Sequence, residues 1–311
     1  MYESEHNPRS LEALIKLDRF LNVYTENLER KVWCRRYHYI DAFAGPGTRV
    51  SADNDTVLNE SDSLIAIAEH GQNQLEHIEF TRHSPNTAVR IDRPFGSYTF
   101  IEQSLRRNHV LEEISKEFKG LKIRVVRESC STYLRRLSLR TEWKSQRALL
   151  FLDPFRMLIN WETLALMAQT KAIEIMLNFP AGVALQKRIP HDSTSLNSTR
   201  RGCLDRFFGS TEWFDLVYSA NAPSEASRAT ERPPNFSPPT MLTSPIRSMD
   251  PGRRLASWYR QRLMSVFGAV SKPYLVRNNN QGQLYYLMFA AHRTSSVELA
   301  QSFLELGSAD C

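Results

Sequence analysis

Five short apolar runs, separated by stretches of helical length, constrain the fold of this 311-residue chain more than any other feature. Each run is rich in β-branched or aromatic residues and is followed by polar or turn-forming residues, and the runs are 37–43, 98–101, 122–126, 148–152 and 173–177. Strands that alternate with helices indicate βαβ units and a mostly parallel sheet. Because crossovers are right-handed, all the carboxyl ends meet at one edge, where open sheets bind ligands. The alternation therefore predicts an α/β fold with one site at that edge.

The alternation stops after residue 180 and resumes near the C-terminus. We predict an N-terminal helix and a ligand-binding α/β core over 1–180, then a helical insertion or lid over 181–271. Prolines and serines over 221–250 predict a flexible loop within that insertion. Two apolar runs flank 278–282, which predicts a β-hairpin, followed by a last helix, over 272–311. The hairpin brings the predicted sheet to seven strands.

Composition narrows the functional classes only slightly. The chain carries 40 Lys and Arg against 34 Asp and Glu, a net charge of +6, which permits a phosphate-bearing partner such as a nucleic acid without requiring one. No apolar run is long enough to cross a bilayer and the first residues lack the layout of a signal peptide, so we expect a cytoplasmic protein. The four cysteines are scattered without metal-ligand spacing, and we expect no metal site.

A glycine-rich turn follows the first predicted strand, in the run DAFAGPG over 41–47. Gly45 and Gly47 allow close approach of a ligand to the backbone, and the N-terminus of the following helix offers unpaired N–H groups. A dinucleotide-binding motif would need a third glycine where Val50 stands, which counts against an NAD(P) enzyme. A tight turn without a ligand is the alternative interpretation of this motif.

Acidic residues follow three of the other predicted strands. Glu102 can accept hydrogen bonds from both ribose hydroxyls of a nucleoside, and the run Glu128–Cys130 is placed to meet its adenine. At Asp153, a carboxylate can hold an amino group so that its lone pair points at an electrophilic methyl group. In such a transfer, alignment and desolvation supply most of the acceleration. An Asp-Pro turn that only ends the fourth strand is the alternative.

These motifs and their order along the chain resemble those of the three-Cys-motif partner family. Its members are similar to class I S-adenosylmethionine (SAM)-dependent methyltransferases. The runs that carry the resemblance are Tyr39–Gly47, Phe100–Glu102, Phe151–Phe155, Asn178–Pro180, Leu204–Gly209 and Leu284–Leu287, so that it covers about residues 10–306. The three cysteines of the family's name belong to a separate protein, which the resemblance implies as a partner. Members carry Gly-Ser where this chain has Asp62-Ser63, and often Gly where it has Arg156.

The resemblance implies a Rossmann-like class I methyltransferase fold with SAM as the cofactor. The expected cofactor-binding residues are Asp41, Phe43, Ala44, Gly45, Gly47, Glu102, Glu128, Ser129 and Cys130. The expected catalytic residues are Asp153, Pro154 and Phe155, and the expected substrate-binding residues are Arg156, Asn178, Phe179 and Pro180. The resemblance supplies no substrate, and our hypothesis is methyl transfer to a nitrogen in a nucleic acid, a nucleotide or a peptide. A non-catalytic SAM-binding partner subunit is the alternative.

Overall fold

A mixed β-sheet between two helical layers forms the framework of the protein. The computed structural model describes residues 8–44, 84–153, 159–182, 185, 188–218, 250–277 and 281–305. Within these ranges, no helix is long and apolar enough to cross a membrane.

The strands and helices are numbered here in chain order. The strands are β1 (Arg36–Asp41), β2 (Ser97–Ile101), β3 (Ile123–Val126), β4 (Gln146–Leu152), β5 (Ile173–Pro180), β6 (Ala269–Val270), β7 (Tyr274–Arg277) and β8 (Gln283–Ala291). The helices are α1 (Pro8–Glu29), α2 (Leu105–Glu117), α3 (Cys130–Arg140), α4 (Trp161–Gln169), α5 (Ser198–Phe208), α6 (Glu212–Tyr218), α7 (Pro251–Phe267) and α8 (Thr294–Glu305). Residues 84–89 are also helical.

The strand order is β3-β2-β1-β4-β5-β8-β6, with β7 also paired to β8. Strands β1 to β5 are mutually parallel in the 3-2-1-4-5 order of a doubly wound sheet, and the predicted hairpin of β7 and β8 is antiparallel. The sheet is therefore mixed, with a parallel half and an antiparallel half.

The predicted count of seven strands was wrong by one, because β6 is too short to produce a sequence pattern. It has two residues, Ala269 and Val270, which pair with Ala291 and Ala290 of β8. Since β5 occupies one side of β8, both β6 and β7 must lie along the other side. They form one interrupted edge strand.

Two apolar clusters, one on each face of the sheet, hold the layers together. Helices α3 to α7 cover the first face, and their buried residues form one cluster with the sheet. Helices α1, α2 and α8 cover the second face. In α1 the buried residues Leu17, Leu21, Tyr24 and Leu28 recur at steps of three and four, as the sequence predicts for an amphipathic helix. Strand β5 is buried on both faces, as a central strand must be.

The helical region after β5 packs directly against α4. Helix α5 ends at Gly209, whose φ of +65° is left-handed, and a Cβ there would lie 2.2 Å from Cγ of Trp161. Glycine is therefore required both by the backbone conformation and by the space. Of the loop predicted at 221–250, only Asp250 lies in the described part of the chain. The predicted domain bounds stay a prediction.

Candidate functional site

Four polar residues form a row across the carboxyl edge of the parallel strands. The buried residues Tyr39, Phe100, Phe151 and Met176 point from four neighbouring strands into the same apolar cluster on the second face. Because side chains alternate along a strand, the residues two positions further on share that face. They are Asp41, Glu102, Asp153 and Asn178, which we call the polar row. The order of the strands places Glu102 at one end and Asn178 at the other.

Asp41 is the buried centre of this row, and it ends β1 with no exposed surface. One carboxylate oxygen accepts a hydrogen bond from the backbone N–H of Phe43 at 3.1 Å, and the other accepts one from the Ser84 hydroxyl at 2.6 Å. Burial raises the pKa of Asp41 to about 7, although these two hydrogen bonds lower it. The charges of Asp153 and Glu102 also raise it. Its protonation state therefore changes near neutral pH.

Glu102 follows β2 and accepts hydrogen bonds from residues that lie shortly after it in the sequence. Arg107 donates to both of its oxygens, at 2.9 and 3.0 Å, and the backbone N–H of Ser104 donates at 2.7 Å. The Arg107 side chain is half exposed, so this ion pair is close to solvent. A ligand that hydrogen-bonds to Glu102 must therefore displace the guanidinium or share the carboxylate with it.

The residues expected to meet adenine are occupied in the structure by local contacts. Arg136 donates to both carboxylate oxygens of Glu128, at 2.8 and 2.7 Å. Ser129 is the N-cap of α3, and its hydroxyl accepts a hydrogen bond from the N–H of Thr132. Cys130 is buried in the first apolar cluster, and burial raises its pKa to about 11. These roles account for all three residues without a ligand.

Asp153 lies directly after β4 and is 2% exposed. Its charge acts on Asp41 and also on Tyr285, a buried residue of β8. Burial raises the pKa of Tyr285 well above its usual range, and Asp153 adds to this effect. The structure therefore places the carboxylate that follows β4 near both the buried carboxylate of β1 and a phenol of β8.

The three residues expected to follow β5 are part of the strand, because β8 continues to pair with it. Asn178 pairs with Leu287, Phe179 with Tyr286 and Pro180 with Tyr285. Phe179 packs in the first apolar cluster, 5.1 Å from the ring of Tyr259. The structure therefore gives Phe179 a packing role and points it away from the polar row, and its expected role in binding substrate stays a prediction.

Asn178 differs from its two neighbours because it shares the face of the polar row. It is 1% exposed, and neither its amide nitrogen nor its amide oxygen has a hydrogen-bond partner in the described part of the chain. Leaving buried polar groups unpaired costs about 1–3 kcal/mol each. A ligand that enters the row would find both a donor and an acceptor here.

Several expected residues can be placed only in part. Ala44 is buried and its N–H donates to the Ile101 carbonyl at 3.1 Å, and the partly buried Phe43 packs on the first apolar cluster. The remaining expected residues lie outside the described ranges, and they are Gly45, Gly47, Pro154, Phe155 and Arg156.

Four residues that contact or influence the expected residues were not predicted from the sequence, and they are Ser84, Arg107, Arg136 and Tyr285. Among them, Arg107 carried a usable signal, since it lies in the first turn of the helix that directly follows Glu102. In the described ranges, no group of three or more His, Cys, Asp or Glu side chains could hold a metal ion.

The polar row can be tested for its fit to the expected cofactor. SAM is a cation at its sulfonium and carries an ammonium group, whereas a dinucleotide carries a negatively charged pyrophosphate. Buried carboxylates favour a nearby positive charge and oppose a negative one. Asp41, the buried centre of the row, therefore fits SAM better than NAD(P).

Comparisons with known proteins give only distant likenesses. No protein-family model matches the chain, and no curated protein matches it. A Legionella pneumophila protein of the DUF519 family is 12% identical over 97% of this chain and 93% of its own, with a TM-score of 0.42. A SAM-dependent methyltransferase from Clostridium acetobutylicum is 13% identical over 55% of this chain and 52% of its own, with a TM-score of 0.27. Likenesses at this level assign neither a family nor an activity.

Proposed function

We propose that the protein binds SAM at the polar row and transfers its methyl group to a nitrogen acceptor. The observation that carries this proposal is the pair of buried carboxylates, Asp41 and Asp153, at the carboxyl edge of a doubly wound sheet. Such an edge is where open α/β sheets bind ligands. Acids that are buried together are unusual outside functional sites, because each charge raises the cost of the other.

The cofactor is assigned from charge and from the residues of the resemblance. Asp41 would face the positively charged part of SAM, with the turn at Gly45 and Gly47 approaching the cofactor. Glu102 would accept hydrogen bonds from the ribose hydroxyls after its oxygens leave Arg107. Because Arg107 is half exposed, its release into solvent costs little. The weakest assignment is that of Glu128 to the adenine, since Arg136 donates hydrogen bonds to both of its carboxylate oxygens.

Asp153 and Asn178 would position the acceptor. A carboxylate that accepts a hydrogen bond from an amino group keeps the nitrogen lone pair pointed at the methyl group, which SAM supplies when bound. The amide of Asn178, on the next strand and the same face, offers a second polar contact. Both side chains are almost fully buried, so that water is excluded where the transfer would occur.

The architecture agrees with the class I methyltransferase-like fold that the resemblance implies. The parallel strands keep the doubly wound order, and the antiparallel hairpin of β7 and β8 extends the sheet beside β5. We extend the proposal to the acceptor, a nitrogen of a nucleic acid, a nucleotide or a peptide, and to a separate three-Cys-motif protein as partner. The net charge of +6 suits an acceptor that carries phosphate.

Calorimetric titration with SAM, S-adenosylhomocysteine and NAD tests the cofactor assignment. We expect the wild-type protein to bind the first two and not NAD. Asp41→Asn should weaken SAM binding by about tenfold or more, equivalent to about 1.4 kcal/mol, and S-adenosylhomocysteine binding by less, because that product lacks the sulfonium charge. Glu113→Gln, which changes an exposed acid of α2, serves as the matched control and should bind as wild type. Binding of NAD in preference to SAM would contradict the proposal.

Transfer from radiolabelled SAM to total nucleic acid, peptides and small metabolites tests the chemistry. Asp153→Asn should retain SAM affinity but lose most of the labelling, by an amount equivalent to about 2–4 kcal/mol for one oriented contact. Equal labelling by both proteins would remove Asp153 from the mechanism. Tight SAM binding without labelling of any acceptor would favour the non-catalytic partner subunit instead.

A further inference from the structure

A cavity lies towards the amino ends of the parallel strands, away from the polar row. It has a volume of about 340 Å³ and lies between β1, β2 and β3 on one side and α3 on the other. Its lining residues include His38, Ser97, Arg124, Tyr133 and Trp143. Its volume falls in the range of cavities that hold small ligands, about 300–1,000 Å³.

The position of this cavity separates it from the cofactor site. His38 precedes Asp41 by three residues, which is about 10 Å along a strand, and it lies nearer the amino end. It also lies on the other face of the sheet, because side chains alternate and Ile40 belongs to the first apolar cluster. A ligand in this cavity would therefore not touch the polar row.

The sheet surface under α3 is unusually polar for a surface covered by a helix. Ser97 and Thr99 of β2 line the cavity together with Lys122 and Arg124 at β3. A strand face that packs on a helix normally carries apolar residues, as Ile40 and Ile101 do further along the same face. Polar residues under a helix weaken the packing unless they meet a polar partner.

A hydrogen-bonded chain fixes one wall of the cavity. Nε2 of His38 lies 2.8 Å from the amide oxygen of Gln146, and Nδ1 lies 2.7 Å from the Ser97 hydroxyl. Because an amide oxygen only accepts, Nε2 is the donor in the contact with Gln146. Burial lowers the pKa of His38, which favours the neutral imidazole, and in that form Nδ1 accepts a hydrogen bond from the Ser97 hydroxyl.

The remaining walls combine positive charge with apolar surface. Lys122 and Arg124 are exposed at one side, and neither forms an ion pair within the described ranges. On the other side, α3 contributes Tyr133 and Leu137, and Trp143 follows that helix. Free cations beside aromatic and aliphatic walls suit a ligand that has an anionic end and a flat apolar body.

We propose that this cavity is a second ligand site, which takes a small molecule with a carboxylate or phosphate group attached to an apolar ring. Arg124 and Lys122 bind the anionic group, and Tyr133, Leu137 and Trp143 contact the ring. The fixed chain of Ser97, His38 and Gln146 supplies a preformed polar wall. This site does not depend on SAM binding at the polar row.

Benzoate, phenyl phosphate, benzyl alcohol and inorganic phosphate form a matched set of probes. Titrated calorimetrically into the full-length protein at millimolar concentrations, benzoate or phenyl phosphate should bind. Benzyl alcohol has the ring without the charge and inorganic phosphate has the charge without the ring, so both should bind at least tenfold more weakly. Equal binding of benzyl alcohol, or no binding of any probe, would overturn the proposal.

Three variants locate the binding. Arg124→Gln should weaken the preferred probe by about tenfold or more, and Thr99→Phe, which fills the cavity, should abolish binding while the charge of Arg124 remains. Arg127→Gln is the control, because Nε of Arg127 donates to the carbonyl of Gln103 and the residue does not line the cavity. Circular dichroism of each variant verifies folding. Loss of binding in Arg127→Gln equal to that in Arg124→Gln, or full binding by folded Thr99→Phe, would place the probe elsewhere.

Discussion

The carboxyl edge of the sheet holds two kinds of acid. The outer pair, Glu102 and Glu128, are each held through both oxygens by a nearby arginine. The inner pair, Asp41 and Asp153, are more deeply buried, and the charge of Asp153 raises the pKa of Asp41. Both kinds follow parallel strands at the same edge, so their position in the sheet does not explain the difference.

This difference indicates where a ligand is needed. An acid that is exposed enough to meet an arginine is stabilised by the chain itself, whereas Asp41 forms no ion pair in the described part of the chain. Within the described ranges, its desolvation is offset by the N–H of Phe43 and the hydroxyl of Ser84. Buried acids kept in this state are characteristic of sites that bind or react.

The largest expected effect is on the pH dependence of stability at Asp41. Burial raises the pKa of this carboxyl from 3.8 to about 7, so the folded protein binds the proton more tightly than the unfolded chain does. Its contribution to stability is complete below pH 4 and is lost as the pH rises to about 7, by roughly 4 kcal/mol. Urea unfolding of wild type and Asp41→Asn at several pH values measures this contribution, and the difference between them should grow over this interval. If the free energies of unfolding of the two proteins changed with pH in parallel, Asp41 would ionise as an ordinary carboxyl group does. It would then not differ from the outer pair in this respect.

The next effect concerns Asn178, whose buried amide has no hydrogen-bond partner among the residues that the structure describes. Asn178→Leu has nearly the same shape and removes a buried amide, so we expect the free energy of unfolding to increase by about 1–3 kcal/mol without ligand. The same substitution should impair methyl transfer, because a residue that serves function is often retained although it lowers stability. Thr163→Val, at a buried polar residue of α4 on the other face, is the control for a general gain from apolar substitution. A destabilised Asn178→Leu protein would mean that the amide has a structural partner.

The smallest expected effect is at the outer pair. Arg136→Gln breaks the contact with Glu128, but the arginine side chain is 40% exposed, and such pairs contribute less than about 1 kcal/mol. Thermal unfolding should therefore change little. A loss of several kcal/mol in the free energy of unfolding would mean that the outer pair depend on their arginines as buried ion pairs do. The distinction between the outer and the inner acids would then be wrong.

The sequence predicts the inner pair better than it predicts the contacts around it. Asp41 and Asp153 both follow strongly apolar runs, and the strand alternation alone places them at one edge. Ser84 lies 43 residues after Asp41, and Tyr285 reaches Asp153 from β8. These partners depend on how distant segments pack, which no local period encodes.

The end of β5 could not be predicted from the sequence either, because it depends on pairing with a distant strand. The polar residue Asn178 and Pro180 look like a turn after Leu177, but pairing with β8 keeps the chain extended through Pro180. A proline can end such a strand where its missing N–H is not needed. Likewise, β6 is defined only by its contacts with β8, since two residues have no detectable alternation.

A crystal structure of the protein with S-adenosylhomocysteine tests the central claim most directly. We expect the ligand at the carboxyl edge, with Asp41 beneath it and the Glu102 carboxylate turned from Arg107 to the ribose hydroxyls. The Glu128–Arg136 contact should remain closed. A ligand bound away from the polar row, or one bound there with Glu102 still held by Arg107 and no contact to the ribose, would contradict the account.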